Sequence, residues 1–182
     1  MYPLKIDALK KEVLYSYEKI YDDTRQTVYN TSGKIMTEVI VHDPDLCTGC
    51  RQCMTACSFR NYKNYNYDLS LCKVVDGPHG EFVRVHCQHC KDPMCMAACP
   101  AGAITKNEAT GFVTIDKMLC VGCKACMMAC PISIPQMGRG LKIMVKCNMC
   151  DGDPECIKVC SAKAIKLVDR EEGKEIVGRL KK

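Results

Sequence analysis

The chain has 182 residues, enough for one compact domain or two small ones, and carries 17 cysteines and 11 methionines but only three phenylalanines and no tryptophan. Cysteine at about 9% is a range in which cross-links or metals take over part of the work of an apolar core, so an ordinary core of packed rings is excluded. The formal charge of +5 counts every cysteine as neutral and is therefore no argument for a nucleic-acid partner.

Within residues 1–37, Ile6, Leu9, Val13, Tyr17 and Ile20 recur at steps of three and four, which predicts an amphipathic helix. This N-terminal extension could pack on its own domain or dock to a partner subunit. It mixes charges into every turn, lacks the apolar run of roughly 7–15 residues that a secretory signal needs, and has no twin-arginine start. No stretch of about 18 apolar residues follows anywhere. The expectation is a cytoplasmic protein without membrane insertion, and in a reducing compartment closely spaced cysteines serve as metal ligands rather than disulfides.

From residue 38 onward sixteen cysteines fall into four quartets. Cys47, Cys50, Cys53 and Cys57 are spaced x2, x2, x3, and Cys87, Cys90, Cys95 and Cys99 are spaced x2, x4, x3. Cys120, Cys123, Cys126 and Cys130 return to x2, x2, x3, and Cys147, Cys150, Cys156 and Cys160 are spaced x2, x5, x3. Their flanks repeat too: EVIVHDPDLCTGCRQC (38–53) aligns with GFVTIDKMLCVGCKAC (111–126), and CPAGAITKNEATGFVTID (99–116) with CSAKAIKLVDREEGKEIVG (160–178). The first pair predicts a β-branched strand before a cysteine loop. The second predicts that the fourth cysteine opens a short helical turn, with Pro at its first position, followed by two strands joined by a polar turn. Between the first two quartets, residues 58–84 form a polar, Tyr/Asn-rich insertion with one strand at LCKVV, and the tail after Val177 reads as solvated.

A single tetrahedral zinc takes four ligands, usually as two pairs about a dozen or more residues apart. Three cysteines in a C-x2-C-x2-C loop instead suit three corners of a cubane, with the fourth, at x3, ligating the other cluster of a pair. The expected cofactors are four [4Fe–4S] clusters. Four cubanes of about −2 each would take the formal +5 to about −3, so Lys and Arg balance buried cluster charge. A non-redox zinc-binding interaction module is the alternative from a different class.

The quartets CTGCRQCMTAC, CQHCKDPMCMAAC, CVGCKACMMAC and CNMCDGDPECIKVC carry a resemblance, from about Val39 to Val177, to the four-cluster iron–sulfur subunits of molybdenum and tungsten oxidoreductases. These include the electron-transfer subunits of dimethyl sulfoxide reductase and formate dehydrogenase. The resemblance implies an α+β fold: duplicated bacterial-ferredoxin-like modules, short β-hairpins and helices wrapped around four clusters. One module would comprise residues 38–83 with 140–182, and the other residues 84–139. It also implies the ligand sets: Cys47, Cys50, Cys53 with Cys160; Cys147, Cys150, Cys156 with Cys57; Cys87, Cys90, Cys95 with Cys130; and Cys120, Cys123, Cys126 with Cys99. Ser161, standing where Pro100 and Pro131 follow other fourth cysteines, departs from the pattern.

The function so implied is electron transfer without catalysis by the chain alone. Its partner would be a large catalytic subunit holding tungsten or molybdenum, of the aldehyde oxidoreductase type with aromatic acyl-CoA reductases included, and a further electron carrier or flavin subunit could join them. Carbon monoxide dehydrogenase, hydrogenase and formate dehydrogenase partners stay open, as does a free polyferredoxin.

Among the remaining candidates, His86 and His89 read as hydrogen-bond donors near cluster sulfur, or as partly exposed residues, rather than ligands, and His42 and His79 show no partner pattern. Cys72 reads as a small buried hydrophobe. The methionines at 54, 94, 96, 127, 128 and 149 read as an apolar shell, and the Asp–Pro pairs at 92–93 and 153–154 as turns. No nucleophile–base pair, phosphate loop or dinucleotide fingerprint is present.

Overall fold

A computed structural model describes residues 38–169, 172–173 and 175–176. The amphipathic helix expected within 1–37 and the tail after Val177 lie outside the described residues. Described strands pair two by two, all antiparallel. β1 (Glu38–His42) pairs with β8 (Ile165–Asp169), and β2 (Lys73–Asp76) with β3 (Phe82–Val85). β4 (Ile104–Lys106) pairs with β5 (Val113–Ile115), and β6 (Gln136–Met137) with β7 (Met144–Val145). Four helices carry cysteines: α1 (Gln52–Tyr62), α2 (Met94–Ala97), α3 (Ala125–Ala129) and α4 (Glu155–Lys158). α1 packs on α4, and α2 on α3.

Two buried clusters follow this division. The first gathers Ile40, Met54, Leu71, Val74, Val145 and Ile165 with Cys53, Cys57, Cys72 and Cys156; the second gathers Ile104, Val113, Met144 and Cys126. Val39 and Val41, on the other face of β1, pack with Val168 and Ile176, which explains why three successive β-branched residues of EVIVH are all buried.

The two expected hairpin repeats diverge. ITK and VTI form one hairpin around a turn in which Asn107 Oδ1 accepts from the N–H groups of Ala109 and Thr110, both at 2.9 Å. The strand after Cys160, in contrast, pairs with β1, in register Glu38↔Asp169 to His42↔Ile165, and Glu175 and Ile176 are helical rather than extended. The second strand expected at EIVG is thus replaced by a strand from the other end of the described chain. In the insertion, the strand expected at LCKVV starts two residues later and gains an unforeseen partner, FVRV, across the turn GPHG.

The helical turns also sit elsewhere than expected. Three of the four fourth cysteines end the helix that carries the third: Cys99 N–H donates to Met96 O, Cys130 to Met127 O and Cys160 to Ile157 O. Pro100 and Pro131 then occupy the second position of a four-residue turn, closed by Gly102 N–H to Cys99 O at 3.2 Å and Ser133 N–H to Cys130 O at 3.0 Å. Proline presets the φ that such a position needs. Ser161 makes the same turn, with Lys163 N–H to Cys160 O at 3.0 Å, so its departure from Pro leaves the geometry intact. After Cys57 stands Ser58, and with no proline to stop it α1 runs on to Tyr62, whereas α3 ends at Ala129, two residues before Pro131. Pro93 and Pro154 do more than turn the chain: both are extended N-cap residues that open α2 and α4.

Candidate metal centre

The cysteine loops are built alike. Gly49 and Gly122, in CTGC and CVGC, have φ of +67° and +69°, and Arg51 and Lys124 cap the following helices with φ of 58° and 66°. His89 and Met149 occupy matching left-handed positions in CQHC and CNMC, and there each backbone N–H donates to the sulfur two residues back, Cys87 Sγ or Cys147 Sγ, at 3.4 Å. Further N–H groups reach sulfur from outside the loops: Leu71 to Cys57 Sγ and Met144 to Cys120 Sγ, both at 3.3 Å. Such bonds stabilise negative charge on sulfur.

Two cavities bring distant cysteines together. One lies between Cys47, Cys50, Cys53 and Cys160, with His42, Val74, Arg84 and Ile165 in its wall. The other lies between Cys87, Cys90, Cys95 and Cys130, with Pro93, Val113, Ile134 and Lys146 in its wall. In each, three cysteines come from one quartet and the fourth from another. Of the remaining cysteines, Cys57, Cys147 and Cys156 share the first core, and Cys150 lies near enough to Cys156 to raise its thiol. Cys99, Cys120 and Cys126 share the second core, while Cys123 is exposed. None of the 17 cysteines is paired in a disulfide. Among the described residues no three His, Cys, Asp or Glu side chains could hold a single metal ion.

Burial and crowding push several of the buried thiols up. Burial, then the nearby Cys87, Cys95 and Cys130 sulfurs, take Cys90 to about 11, and burial takes Cys95 to about 11. Burial and the Cys87 sulfur take Cys147 to about 12, with Arg84 and Lys146 acting in the opposite sense. Thiols so crowded want a cation or cluster that takes them as thiolates. Hydrogen bonding to Cys72, then burial, raises both Cys53 and Cys57, and the same bonds lower Cys72. Cys72 is buried as expected, yet it is not isolated.

The donor set therefore fits an iron–sulfur group: thiols at several corners of an enclosed space, N–H groups directed at sulfur, and a buried cation in each cavity wall. Sequence reasoning missed those cations. Arg84 is 2% exposed, and burial opposes its charge while the thiols of Cys72, Cys156, Cys53 and Cys147 favour it. Lys146 is buried and donates through Nζ to the carbonyls of Val113 and Cys147. The available signal was positional: each cation follows a strand residue or sits in a strand, one to three residues ahead of a C-x2-C pair.

The histidines also differ from expectation. His86 Nε2 meets Ile40 O at 3.1 Å, tying the second quartet's approach to β1 rather than to sulfur. His89 Nδ1 accepts from Val113 N–H at 3.0 Å, and its ring lies against Phe112. His42, which showed no partner pattern, accepts at Nδ1 from Arg84 N–H at 3.4 Å and lines the first cavity. Burial and Arg84 lower His42 to about 4 and His86 to about 3.

Among the described residues no helix is long and apolar enough to cross a membrane. Residues 79–170 match the family model of the 4Fe-4S dicluster domain and residues 39–62 that of a 4Fe-4S binding domain. The chain is 35% identical over 121 residues to the polyferredoxin-like subunit of aliphatic sulfonate oxidoreductase from Pyrococcus furiosus, covering 66% of this chain and 70% of that one. It is 33% identical over 144 residues to the B subunit of anaerobic dimethyl sulfoxide reductase from Escherichia coli, covering 68% and 69%. One subunit of the active site complex of benzoyl coenzyme A reductase with benzoyl-CoA aligns at 23% identity and a TM-score of 0.40, over 80% of this chain and 89% of that one. The family match over half the chain, the two relatives and the cysteine loops agree: the chain belongs to the ferredoxin-like iron–sulfur electron-transfer subunits of molybdenum and tungsten oxidoreductases.

Proposed function

We propose that this chain holds four [4Fe–4S] clusters and relays single electrons between an external carrier and a tungsten- or molybdenum-containing catalytic subunit of the aldehyde oxidoreductase type, aromatic acyl-CoA reductases included. The observation that carries the four-cluster reading is the pair of cavities, each joining three cysteines of one quartet to one from afar. By the same pattern Cys147, Cys150 and Cys156 take Cys57, and Cys120, Cys123 and Cys126 take Cys99. Residues 38–83 with 140–182 make one module and residues 84–139 the other, save that Arg84 reaches into the first module's cavity and Lys146 into the second's. The polyferredoxin-like relative supports an oxidoreductase partner, and the compact x5 step of the fourth quartet suits a small intracellular subunit.

Bound clusters supply one-electron carriage, and the chemistry is theirs. The chain supplies thiolate ligands, N–H bonds to sulfur, the cations Arg84 and Lys146, and apolar walls that keep water out. Cys50 and Cys123 are exposed, so their sets offer the surfaces for exchange, and Met118, Leu119, Val121 and Met128 give Cys123 an apolar rim. Because Cys90, Cys95 and Cys147 are raised in the metal-free protein, ligation there expels their protons.

The test is anaerobic purification. About four irons per quartet, and absorbance near 400 nm that dithionite bleaches, are expected. A colourless, zinc-loaded protein would overturn the reading. Isolation of the native complex, with identification of its metal, tests the partner: tungsten or molybdenum supports it, and a complex lacking both refutes it.

A further inference from the structure

Arg84 sits between two sets of cysteines. From β3 its side chain enters the wall of the cavity formed by Cys47, Cys50, Cys53 and Cys160. Its Nη2 donates to Cys156 Sγ at 3.2 Å, a cysteine of a different set. Among the described residues, Nε and Nη1 are buried without a hydrogen-bond partner. The groups that most favour its charge are the thiols of Cys72, Cys156, Cys53 and Cys147.

A guanidinium is a permanent cation, and burying one without an anion is costly. The fold nevertheless fixes it firmly. Arg84 stands opposite Val74 in the β2–β3 register, and its N–H is held by His42 Nδ1. Five donors spread over a flat fork can reach two well-separated sides at once, whereas an ammonium presents its three donors from a single point. Nη2 already points to one set, and the two idle nitrogens belong to a side chain that lines the cavity of the other. Lys146, in the second cavity, spends its donors on two carbonyls instead. The roles of the two buried cations are therefore different.

We propose that Arg84 is a shared counter-cation for two adjacent clusters, the one held by Cys47, Cys50, Cys53 and Cys160 and the one held by Cys57, Cys147, Cys150 and Cys156, and that it raises the reduction potential of both. This rests on the four-cluster reading above. Arg84 ligates nothing; it is a positioning residue that acts through charge and hydrogen bonds on sulfur.

The experiment is an EPR-monitored redox titration of the cluster-loaded full chain, with iron counted first. A wild-type protein without iron–sulfur clusters refutes the four-cluster reading and is seen before any variant is made. In Arg84→Met, two of the four potentials fall, each by at least a tenfold loss in the reduction equilibrium, about 59 mV for one electron. In Arg84→Lys, one of those two returns towards the wild-type value and the other stays low. Four unchanged potentials, or a fall confined to one cluster in Arg84→Met, would overturn the inference. If Arg84→Met cannot retain iron, Arg84→Gln takes its place: two fallen potentials support sharing, and none, one, or more than two refute it.

Discussion

A β-carbon on Gly122 would stand 2.2 Å from the carbonyl oxygen of Lys142, and Gly122 itself has φ +69°. The third cysteine loop therefore rests directly on the backbone that leads into β7. A side chain there meets both a contact no rotamer relieves and a left-handed penalty of about 1–2 kcal/mol. Gly122→Ala is expected to lose one cluster, about four irons per chain, with the other three signals intact. Iron assay and EPR of the purified variant check this, and full iron content would count against it.

The proposed exchange of fourth cysteines between quartets makes a sharper expectation. Cys160→Ser should alter the same EPR signal as Cys47→Ser, although the two residues stand in different quartets. Cys156→Ser, four residues from Cys160, should alter a different one. The same relation should hold between Cys130→Ser and Cys87→Ser.

Met144 is 1% exposed between Ile104, Val113 and Cys126, and its N–H reaches Cys120 Sγ. Met144→Ala keeps that backbone bond and removes only the packing. A loss of about 2–5 kcal/mol is expected, read from the midpoint of urea-induced bleaching.

His86 gives a pH dependence. Its folded value is lowered to about 3 from the ordinary 6.5, chiefly by burial and then by Arg84. A group depressed in this way stabilises the fold above its unfolded value, and that contribution is lost as pH falls. The denaturation midpoint should decline as pH drops from about 6.5 towards 3. His86→Gln can still donate to Ile40 O but cannot titrate, so it should flatten this decline. His42, lowered to about 4, would leave a smaller residual slope.

The cysteine spacing carried most of what could be read in advance, because ligand spacing follows from the shape of a small inorganic object and depends little on the rest of the chain. The β-branched runs at 38–42, 104–106 and 113–115 were legible for a related reason: short strands beside each loop show local composition. What stayed hidden was non-local. Nothing in AIKLV states that its partner is EVIVH rather than EIVG, since either would bury the same face. Arg84 and Lys146 look like surface residues in the sequence, for a buried cation makes sense only once the thiols around it are seen. His42 was equally mute, because its role depends on β3 arriving beside β1. Proline after the fourth cysteine was seen, but its place was misjudged: it follows a helix and does not begin one.

The pairing of β1 with β8 gives the protein a history as well as a shape. During synthesis the cavity of Cys87, Cys90, Cys95 and Cys130 has all its walls once the chain has passed Lys146. The cavity of Cys47, Cys50 and Cys53 must wait for Cys160 and Ile165, which leave the ribosome more than a hundred residues after its first cysteine. The half of the fold that is made first is thus closed last. An iron-delivery system that works on nascent chains would find one site ready while the other still stands open, and a chain cut short before β8 would keep the inner site and lose the outer one.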